Sequence, residues 1–265
     1  QAIGVDRRWS GCTIRPVLDD NPSGNKPVIA PDPVKKPKRN VMVDLGLSVL
    51  WADCNVGADS PQEIGARFAW GETVPKAYYS EYNYKHMKAF KDENKWWYSK
   101  YTPDNNGPYV DGLTRLEAED DAATANWGGK WRMPTKEEYK ELFDNCVWAE
   151  DSINGVKGYR ITSKVPGYTD NSIFLPYNSV SWGTLLDEDY DEGYYLTSDL
   201  SSRQQLLWSG CVVLEFSEFE FGTLDEVDLD FGENVRSLGG SKMSKIHISS
   251  RDRVNGYYVR AVCEK

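Results

Sequence analysis

Five prolines stand within 22 residues near the start of this 265-residue chain, and no other feature divides it as clearly. They are Pro22, Pro27, Pro31, Pro33 and Pro37. Each proline fixes φ and removes a backbone donor, so a series of them disfavours helix and sheet and favours an extended spacer. We therefore predict a linker over residues 19–40 and one folded domain over residues 41–265.

The segment before the linker resembles the end of the chain. Residues 8–19 (RWSGCTIRPVLD) align with residues 253–264 (RVNGYYVRAVCE), with identical residues at Arg8/Arg253, Gly11/Gly256, Arg15/Arg260 and Val17/Val262. We interpret this as an internal repeat, with chance similarity as the alternative. Residues 1–18 are then a stray strand that ends a preceding related domain. Because an unpaired strand edge invites pairing, they also predict strand-mediated self-association.

Charge and hydropathy limit the classes of partner. The formal net charge is -10, and a field of that sign repels phosphate backbones, which argues against a nucleic-acid partner. The sequence has no run of about 18 apolar residues, so we predict that the chain does not span a membrane. Ten Trp and 16 Tyr are many for this length, and large rings serve both core packing and ligand-binding surfaces.

Two capping boxes predict two helices. Thr114 and Glu117 open the first, which we expect to run to about Asn126. Thr135 and Glu138 open the second. Its buried face follows at helical spacing, with Tyr139, Leu142, Phe143 and Cys146.

Most of the remaining chain has the pattern of short strands and long loops. We expect two short strands with a turn within residues 44–54, and a long loop region over residues 75–112. After Gly155 the predicted strands are 158–163, 172–176, 193–198, 206–216 and 256–263. Two helices with many short antiparallel strands indicate the α+β class.

Several stretches resemble a known family. They are residues 43–57 (VDLGLSVLWADCNVG), 68–73 (FAWGET), 120–123 (DDAA), 126–135 (NWGGKWRMPT), 172–176 (SIFLP) and 259–263 (VRAVC). Together they resemble the paralogous surface-protein domains of gut Bacteroidetes and Fibrobacter, which share the fold of C-type lectins and formylglycine-generating enzymes. The resemblance covers residues 41–265. It implies a C-type lectin-like domain with two helices, short antiparallel strands and long loops.

The same resemblance carries implications for location and for cysteines. It implies an extracytoplasmic protein, either a cell-surface lipoprotein or a secreted one, whose signal peptide is not part of this sequence. C-type lectins commonly tie their first helix to the last strand, which here implies a disulfide between Cys146 and Cys263. Cys54 and Cys211 either pair or remain buried thiols, and Cys12 also finds a partner if the N-terminal segment docks on the domain. The count of five leaves open which cysteine is the odd one.

The sequence argues against an enzyme. Related oxidases need paired reactive cysteines, but Cys211 lies in an apolar strand without a neighbouring base, and Cys263 has no second cysteine close to it in sequence. The chain has only His86 and His247, and it lacks the HExxH, GxSxG, P-loop and Rossmann patterns. We therefore expect a non-enzymatic module.

Two loop regions are candidates for binding. The acidic run that contains Asp187, Asp189 and Asp191 is most simply a solvated loop, and the alternative is a calcium site, because hard cations prefer carboxylate oxygens. The region before the closing strand, together with two tryptophans, predicts a rim for a glycan or protein ligand. Its residues are Trp182, Trp208, Asn234, Arg236, Arg251 and Asp252.

The sequence thus predicts a binding or adhesion module at the cell surface that recognises a glycan or a protein through loops near its C-terminal region. Three alternatives remain open at this stage. They are a hypervariable ligand-binding target protein of the same fold, a divergent formylglycine-type oxidase, and a structural unit of a surface assembly.

Overall fold

A computed structural model describes most of the chain from residue 41 onward. The described residues are 34–36, 41–90, 95–103, 108–178, 181–182, 185–186, 192–205, 208–217 and 245–265. The segment 1–18 and nearly all of the linker at 19–40 lie outside these residues. The predictions for both segments, including self-association through residues 1–18, therefore stay predictions.

Within the described residues the chain forms sixteen strands and two α-helices. The strands are β1 (Met42–Val43), β2 (Val49–Ala52), β3 (Arg67–Phe68), β4 (Met87–Phe90), β5 (Lys95–Tyr98), β6 (Trp131–Arg132), β7 (Cys146–Ile153), β8 (Val156–Ser163), β9 (Ser172–Pro176), β10 (Ser181–Trp182), β11 (Leu185–Leu186), β12 (Glu192–Gln205), β13 (Trp208–Ser217), β14 (Lys245–Asp252), β15 (Tyr257–Tyr258) and β16 (Val262–Glu264). The helices are α1 (Ala122–Trp127) and α2 (Lys136–Asn145). Short 3-10 helices cover Glu81–Asn83 and Ala118–Asp120.

The described strands form five sheets. Their orders are β1-β2-β16-β6, β14-β13-β12-β15-β3, β7-β8-β9, β4-β5 and β10-β11. The pairs are antiparallel, except that β12 runs parallel to β15 at Tyr195 and Tyr258. The protein is therefore mostly β, with two short helices and several antiparallel sheets, which confirms the coarse content of the α+β prediction. In the described part of the chain, no helix has both the length and the apolar character needed to cross a bilayer.

The largest sheet has apolar residues on both of its faces. Along β13, Cys211 and Val213 belong to one hydrophobic cluster, whereas Leu214 and Phe216 belong to a second one. This alternation is the side-chain period of a strand whose two faces are both covered. It explains why the sequence of β13 is a nearly continuous apolar run, and it places the core on either side of this sheet.

Helix α2 begins as the sequence predicts. The Thr135 hydroxyl accepts a bond from the Glu138 N–H, and the Glu138 carboxylate accepts one from the Thr135 N–H at 2.8 Å. Tyr139 and Leu142 are buried on the inner face of the helix. The predicted extension to Cys146 is wrong by one residue, because Cys146 is extended and begins β7.

Helix α1 differs from its prediction. Thr114 does not cap a helix, because the chain there runs beside β12, where Arg115 forms a β-bridge with Asp199. The Leu200 N–H donates to the Thr114 carbonyl at 2.9 Å. The helix starts instead after Asp121, whose carboxylate accepts a bond from the Thr124 N–H at 2.9 Å. Tertiary pairing thus overrides a local capping signal.

The predicted long loop at residues 75–112 is partly wrong. It contains the hairpin β4-β5, in which Ala89 faces Trp96 and Met87 faces Tyr98. It also contains the 3-10 helix at Glu81–Asn83. A tight group of buried aromatic side chains holds this region to the domain, and such contacts are not visible in a local pattern.

The four positions at which residues 8–19 and residues 253–264 are identical have clear structural roles in the closing segment of the chain. Arg253 and Arg260 are both fully buried. A Cβ at Gly256 would stand 2.6 Å from the Tyr79 ring, so a larger residue would displace that ring. Val262 is buried between Trp51 of β2 and Arg132 of β6. The four identical positions are therefore those at which the structure constrains the residue type.

Candidate functional site

The structure brings three of the six predicted rim residues to one end of the largest sheet. Arg251 and Asp252 end β14, opposite Cys211 and Gly210, and Trp208 begins β13 at this same end. Trp182 lies in the separate β10-β11 pair. The side-chain positions of both tryptophans, and all of Asn234 and Arg236, lie outside the described residues.

Arg251 is committed to an internal ion pair. Its guanidinium makes two bonds to the carboxylate of Glu215, one of them from Nε at 2.9 Å. Glu215 is almost fully buried, and it also accepts a bond from the Ser249 hydroxyl at 2.7 Å. The guanidinium carbon lies 5.6 Å from the centre of the Tyr194 ring. A cation held in this way stabilises the sheet and is poorly placed to leave it for a ligand.

Asp252 closes the turn that follows β14. Its Oδ1 accepts a bond from the Val254 N–H at 3.2 Å, and its carbonyl accepts one from the Tyr257 hydroxyl at 2.9 Å. Burial raises the pKa of Asp252, and the negative charge of Glu81 raises it further.

The acidic run at Asp187, Asp189 and Asp191 lies outside the described residues, so the calcium hypothesis for it stays a prediction. In the described residues the carboxylates that could share a cation are Glu117, Glu119 and Asp120. The Lys100 ammonium lies among them, at 2.5 Å from Glu117, 3.0 Å from Glu119 and 2.7 Å from Asp120. This cluster therefore already has its cation, and that cation is a side chain.

Asp120 is the buried centre of this cluster. Its carboxylate also accepts bonds from the Lys85 ammonium and, at 2.7 Å, from the Tyr101 hydroxyl. Burial alone would raise the pKa of Asp120, but the bonds from Lys100, Lys85 and Tyr101 outweigh it and lower the pKa to about 2. His86 lies 3.6 Å away, and burial lowers its pKa. Each of these groups already has a polar partner within the fold.

The disulfide implied by the resemblance is absent from the structure. Cys146 and Cys263 are both free and buried. Cys263 pairs with Trp131, which precedes α2, whereas Cys146 directly follows the helix. A ten-residue helix is about 15 Å long, so the two cysteines belong to opposite ends of it. The structure thus does not bear out this part of the prediction.

The remaining described cysteines are interior thiols. Cys54 and Cys211 are fully buried and belong to the same hydrophobic cluster. Burial raises the pKa of Cys211, and it raises the pKa of Cys146 to about 11. A thiol with a raised pKa carries little of the thiolate that reacts.

A different surface has the features of a binding site. The segment from residue 78 to residue 84 contains four tyrosines. Tyr79 and Tyr84 are buried, whereas Tyr78 is 44% and Tyr82 is 74% exposed. Trp96, on the neighbouring strand β5, is 40% exposed. We call Tyr82 and Trp96, whose rings are in contact, the aromatic platform.

The two platform rings are in direct contact. The centres of the Tyr82 and Trp96 rings are 5.7 Å apart, and the rings are nearly perpendicular at 88°. This edge-to-face geometry is a favourable one for aromatic pairs. It fixes each ring against the other, while both remain accessible to solvent.

The turn that carries Tyr82 is anchored by buried groups. The Tyr79 hydroxyl donates to the Arg67 carbonyl at 2.7 Å, and the Tyr84 hydroxyl donates to the Trp70 carbonyl at 2.6 Å. The Lys76 ammonium bridges the Glu72 carboxylate at 2.6 Å and the Asn83 carbonyl at 2.5 Å. Such anchoring lowers the entropy that a ligand would otherwise have to remove on binding.

The strand that carries Trp96 is held by a buried cation. The Arg253 guanidinium carbon lies 3.5 Å from the centre of the Tyr98 ring, two residues beyond Trp96. Nη1 of the same guanidinium donates to the Tyr101 carbonyl at 3.0 Å. Met87 and Tyr98 also pack against Ala69, Tyr79, Tyr84 and Val254. Arg253 and Val254, in the closing segment of the chain, therefore help to hold strand β5 in place.

Strand β5, which carries Trp96, is linked to the predicted rim through Arg253, which packs on Tyr98 and follows Asp252 in the chain. Burial raises the pKa of Tyr98, with further contributions from the negative charges of Asp252 and Glu81. Glu81 immediately precedes Tyr82, and Arg253 immediately follows Asp252. Of the residues predicted from sequence, Asp252 is thus the one that adjoins, in the chain, the arginine packed against β5. The platform itself was missed, although its density of tyrosine and tryptophan was a usable signal.

Comparison with models of protein families, with curated proteins and with solved structures gives no match. The family resemblance, and the lectin-type fold that it implies, therefore remain proposals. The functional proposal therefore depends on the geometry of the described residues.

Proposed function

We propose that this protein is a non-catalytic binding module that acts outside the cytoplasm and recognises a glycan on its aromatic platform. The observation that carries the proposal is the solvent-exposed contact between Tyr82 and Trp96. The location rests on the family resemblance alone. The ligand class rests on the chemistry and size of the platform.

Exposed aromatic faces suit sugars. The face of an aromatic ring carries partial negative charge, and the C–H groups of a pyranose carry partial positive charge, so the two surfaces attract each other. Stacking also removes apolar ring area from water. Tyr82 and Trp96 offer two such surfaces, set at a fixed angle by their mutual contact.

The size of the platform favours a glycan over a folded protein. A stable protein interface buries roughly 800 Å² on each partner. The platform has two partly exposed rings, which together provide much less apolar area than that. Polar groups border it, including Glu81 and Asn83. A small apolar surface with a polar border suits one or two sugar rings.

The described thiols support a role without catalysis. Cys146, Cys211 and Cys263 are buried, and burial raises the pKa of the first two. Among the described residues, His86 is in contact with Tyr84, Tyr101 and the Gly71 carbonyl. These groups have structural surroundings rather than those of a nucleophile and its base.

The test is a glycan array followed by calorimetry on the glycans that bind. We expect Trp96→Ala to weaken binding by about five- to 150-fold, because a stacked aromatic ring contributes on the order of 1–3 kcal/mol by analogy with base stacking on such rings. Val147→Ala is the matched control, since Val147 is an exposed apolar residue on β7.

Full binding by Trp96→Ala would contradict the platform as the site. Loss of binding in Asp252→Asn together with unchanged binding in Trp96→Ala would move the site to the predicted rim. Equal losses in Trp96→Ala and Val147→Ala would indicate a general loss of folding, which thermal unfolding of both variants detects.

A further inference from the structure

We infer that the aromatic platform binds single glycan chains and does not bind the flat face of a packed polysaccharide. This inference rests on the proposed function and adds the physical form of the ligand. It follows from the angle between the Tyr82 and Trp96 rings and from the contacts that hold each ring in place.

The hairpin β4-β5 determines where the Trp96 ring stands. Because side chains alternate along a strand, Trp96 and Tyr98 share one face of β5 with their cross-strand partners Ala89 and Met87. At the base of the hairpin, Met87 and Tyr98 pack against the buried cluster that contains Tyr84. Nearer to the turn, the residue opposite Trp96 is Ala89, whose methyl group is too small to cover an indole. Trp96 is therefore 40% exposed on a face whose base is buried.

The turn that carries Tyr82 is held by polar contacts of its own. The Asn83 Oδ1 accepts a bond from the Ser80 N–H at 3.1 Å, and the Asn83 Nδ2 donates to the Tyr78 carbonyl at 2.8 Å. The Lys76 ammonium also donates to the Asn83 carbonyl at 2.5 Å. These bonds fix the backbone on both sides of Tyr82, while its ring remains 74% exposed.

The two rings form a corner rather than a plane. Their planes meet at 88°, and their centres are 5.7 Å apart. A flat surface that lies on the face of one ring therefore meets the other ring only at its edge. The packed chains of a solid polysaccharide present a single plane, so only one of the two rings can stack on them.

A single chain in solution can contact both rings. It offers the flat face of a sugar ring and, roughly at right angles to that face, the edge that carries the hydroxymethyl group. The face stacks on one aromatic ring while C–H groups of the edge contact the second. Each contact removes apolar area from water and places C–H groups against the negative face of an aromatic ring. Both rings therefore contribute only when two sides of the ligand are accessible.

The first test compares the dissolved and the solid form of the same sugar. The probes are cellohexaose with microcrystalline cellulose, chitohexaose with crystalline chitin, and maltohexaose with starch granules. Calorimetry measures binding of the full chain to the hexaoses, and depletion of the protein from solution measures binding to the solids. We expect the dissolved form to bind about five- to 150-fold more tightly, which is the contribution of one additional stacked ring.

The second test uses whichever dissolved glycan binds most tightly. Tyr82→Ala and Trp96→Ala should each weaken its binding by about five- to 150-fold, because both rings contact one chain. Tyr78→Ala is the matched control, since Tyr78 is a 44% exposed tyrosine of the same segment and the variant keeps the carbonyl that Asn83 binds. It should change the affinity by less than threefold.

Three results would overturn the inference and leave the proposed function intact. The first is binding that Trp96→Ala removes but that favours the solid over the dissolved form. The second is a loss of binding in Trp96→Ala with unchanged binding in Tyr82→Ala, because one ring would then suffice. The third is an equal loss in all three variants while thermal unfolding shows each to be folded, because the rings would then act as one broad surface. If neither a dissolved nor a solid glycan shows binding that Trp96→Ala removes, the proposed function fails as well.

Discussion

The Asp120 cluster and the aromatic platform use their side chains in opposite ways. In the cluster, Asp120 binds Lys85, Lys100 and Tyr101, so its acceptor capacity is used within the fold. On the platform, Tyr82 and Trp96 contact each other and keep large parts of their rings in water. In this protein the exposed rings are therefore a better sign of a binding site than the charged cluster. The rings still have surface that a ligand can contact, whereas the charges already have partners within the fold.

Removing the central charge of the cluster should have the largest effect. Asp120→Asn keeps the shape of the side chain but removes its charged bonds to Lys100 and Lys85. We expect the free energy of unfolding to fall by about 3 kcal/mol. Chemical denaturation measures the change.

The control for this variant is Glu119→Gln, because Glu119 is 75% exposed and binds the same Lys100. It should cost less than about 1 kcal/mol, as surface ion pairs usually do. Equal losses in the two variants would mean that burial does not separate Asp120 from its neighbours.

The contribution of the same cluster to stability should also be measurable in the unmodified protein, as a loss of stability at acidic pH. The pKa of Asp120 is about 2 in the folded state, below its ordinary value of 3.8. The stabilisation from its charge is complete above the ordinary value and is lost as the pH falls from about 4 to about 2. At about 1.4 kcal/mol per pKa unit, we expect a loss of about 2 kcal/mol.

Denaturation curves at several pH values measure this loss, and Asp120→Asn serves as the reference. The variant should lack this part of the pH dependence. If both proteins lose stability equally between pH 4 and pH 2, other carboxylates are responsible and the assigned role of Asp120 is wrong.

The smallest expected effect on stability concerns the support of the platform. Arg253→Met removes the cation that lies against Tyr98 and the bond to the Tyr101 carbonyl. We expect a loss of about 1–2 kcal/mol, since methionine retains much of the packing of the stem. Hydrogen exchange should accelerate mainly in β4 and β5.

Arg253→Met should also weaken glycan binding a few-fold, because Trp96 is carried by β5. Exchange that accelerates uniformly over the domain would contradict a local positioning role. Unchanged exchange in β4 and β5 would show that the apolar contacts of Met87 and Tyr98 suffice to hold the hairpin.

The two capping boxes show where local sequence predicts the structure and where it does not. Thr135 and Glu138 form their box, because both partners belong to one helix and no strand competes for them. Thr114 and Glu117 do not, because β12 pairs with the backbone at Thr114 and Arg115. The strands predicted at residues 158–163 and 172–176 are both present, as β8 and β9, and they pair with each other.

Sequence patterns could not predict the platform, for a related reason. Tyr78, Tyr79, Tyr82 and Tyr84 are chemically identical, and their spacing fits no regular period. The Arg67 and Trp70 carbonyls, which come from other parts of the chain, determine that Tyr79 and Tyr84 point inwards. Only tertiary contacts decide which rings remain for a ligand.

Because its described thiols are buried, this domain contains natural probes of local and global unfolding. Cys54, Cys146, Cys211 and Cys263 are almost completely hidden from solvent. A maleimide can therefore label them only when the surrounding structure separates. Mass spectrometry of the labelled peptides would time that separation at each of these positions, without any reporter group being engineered into the chain.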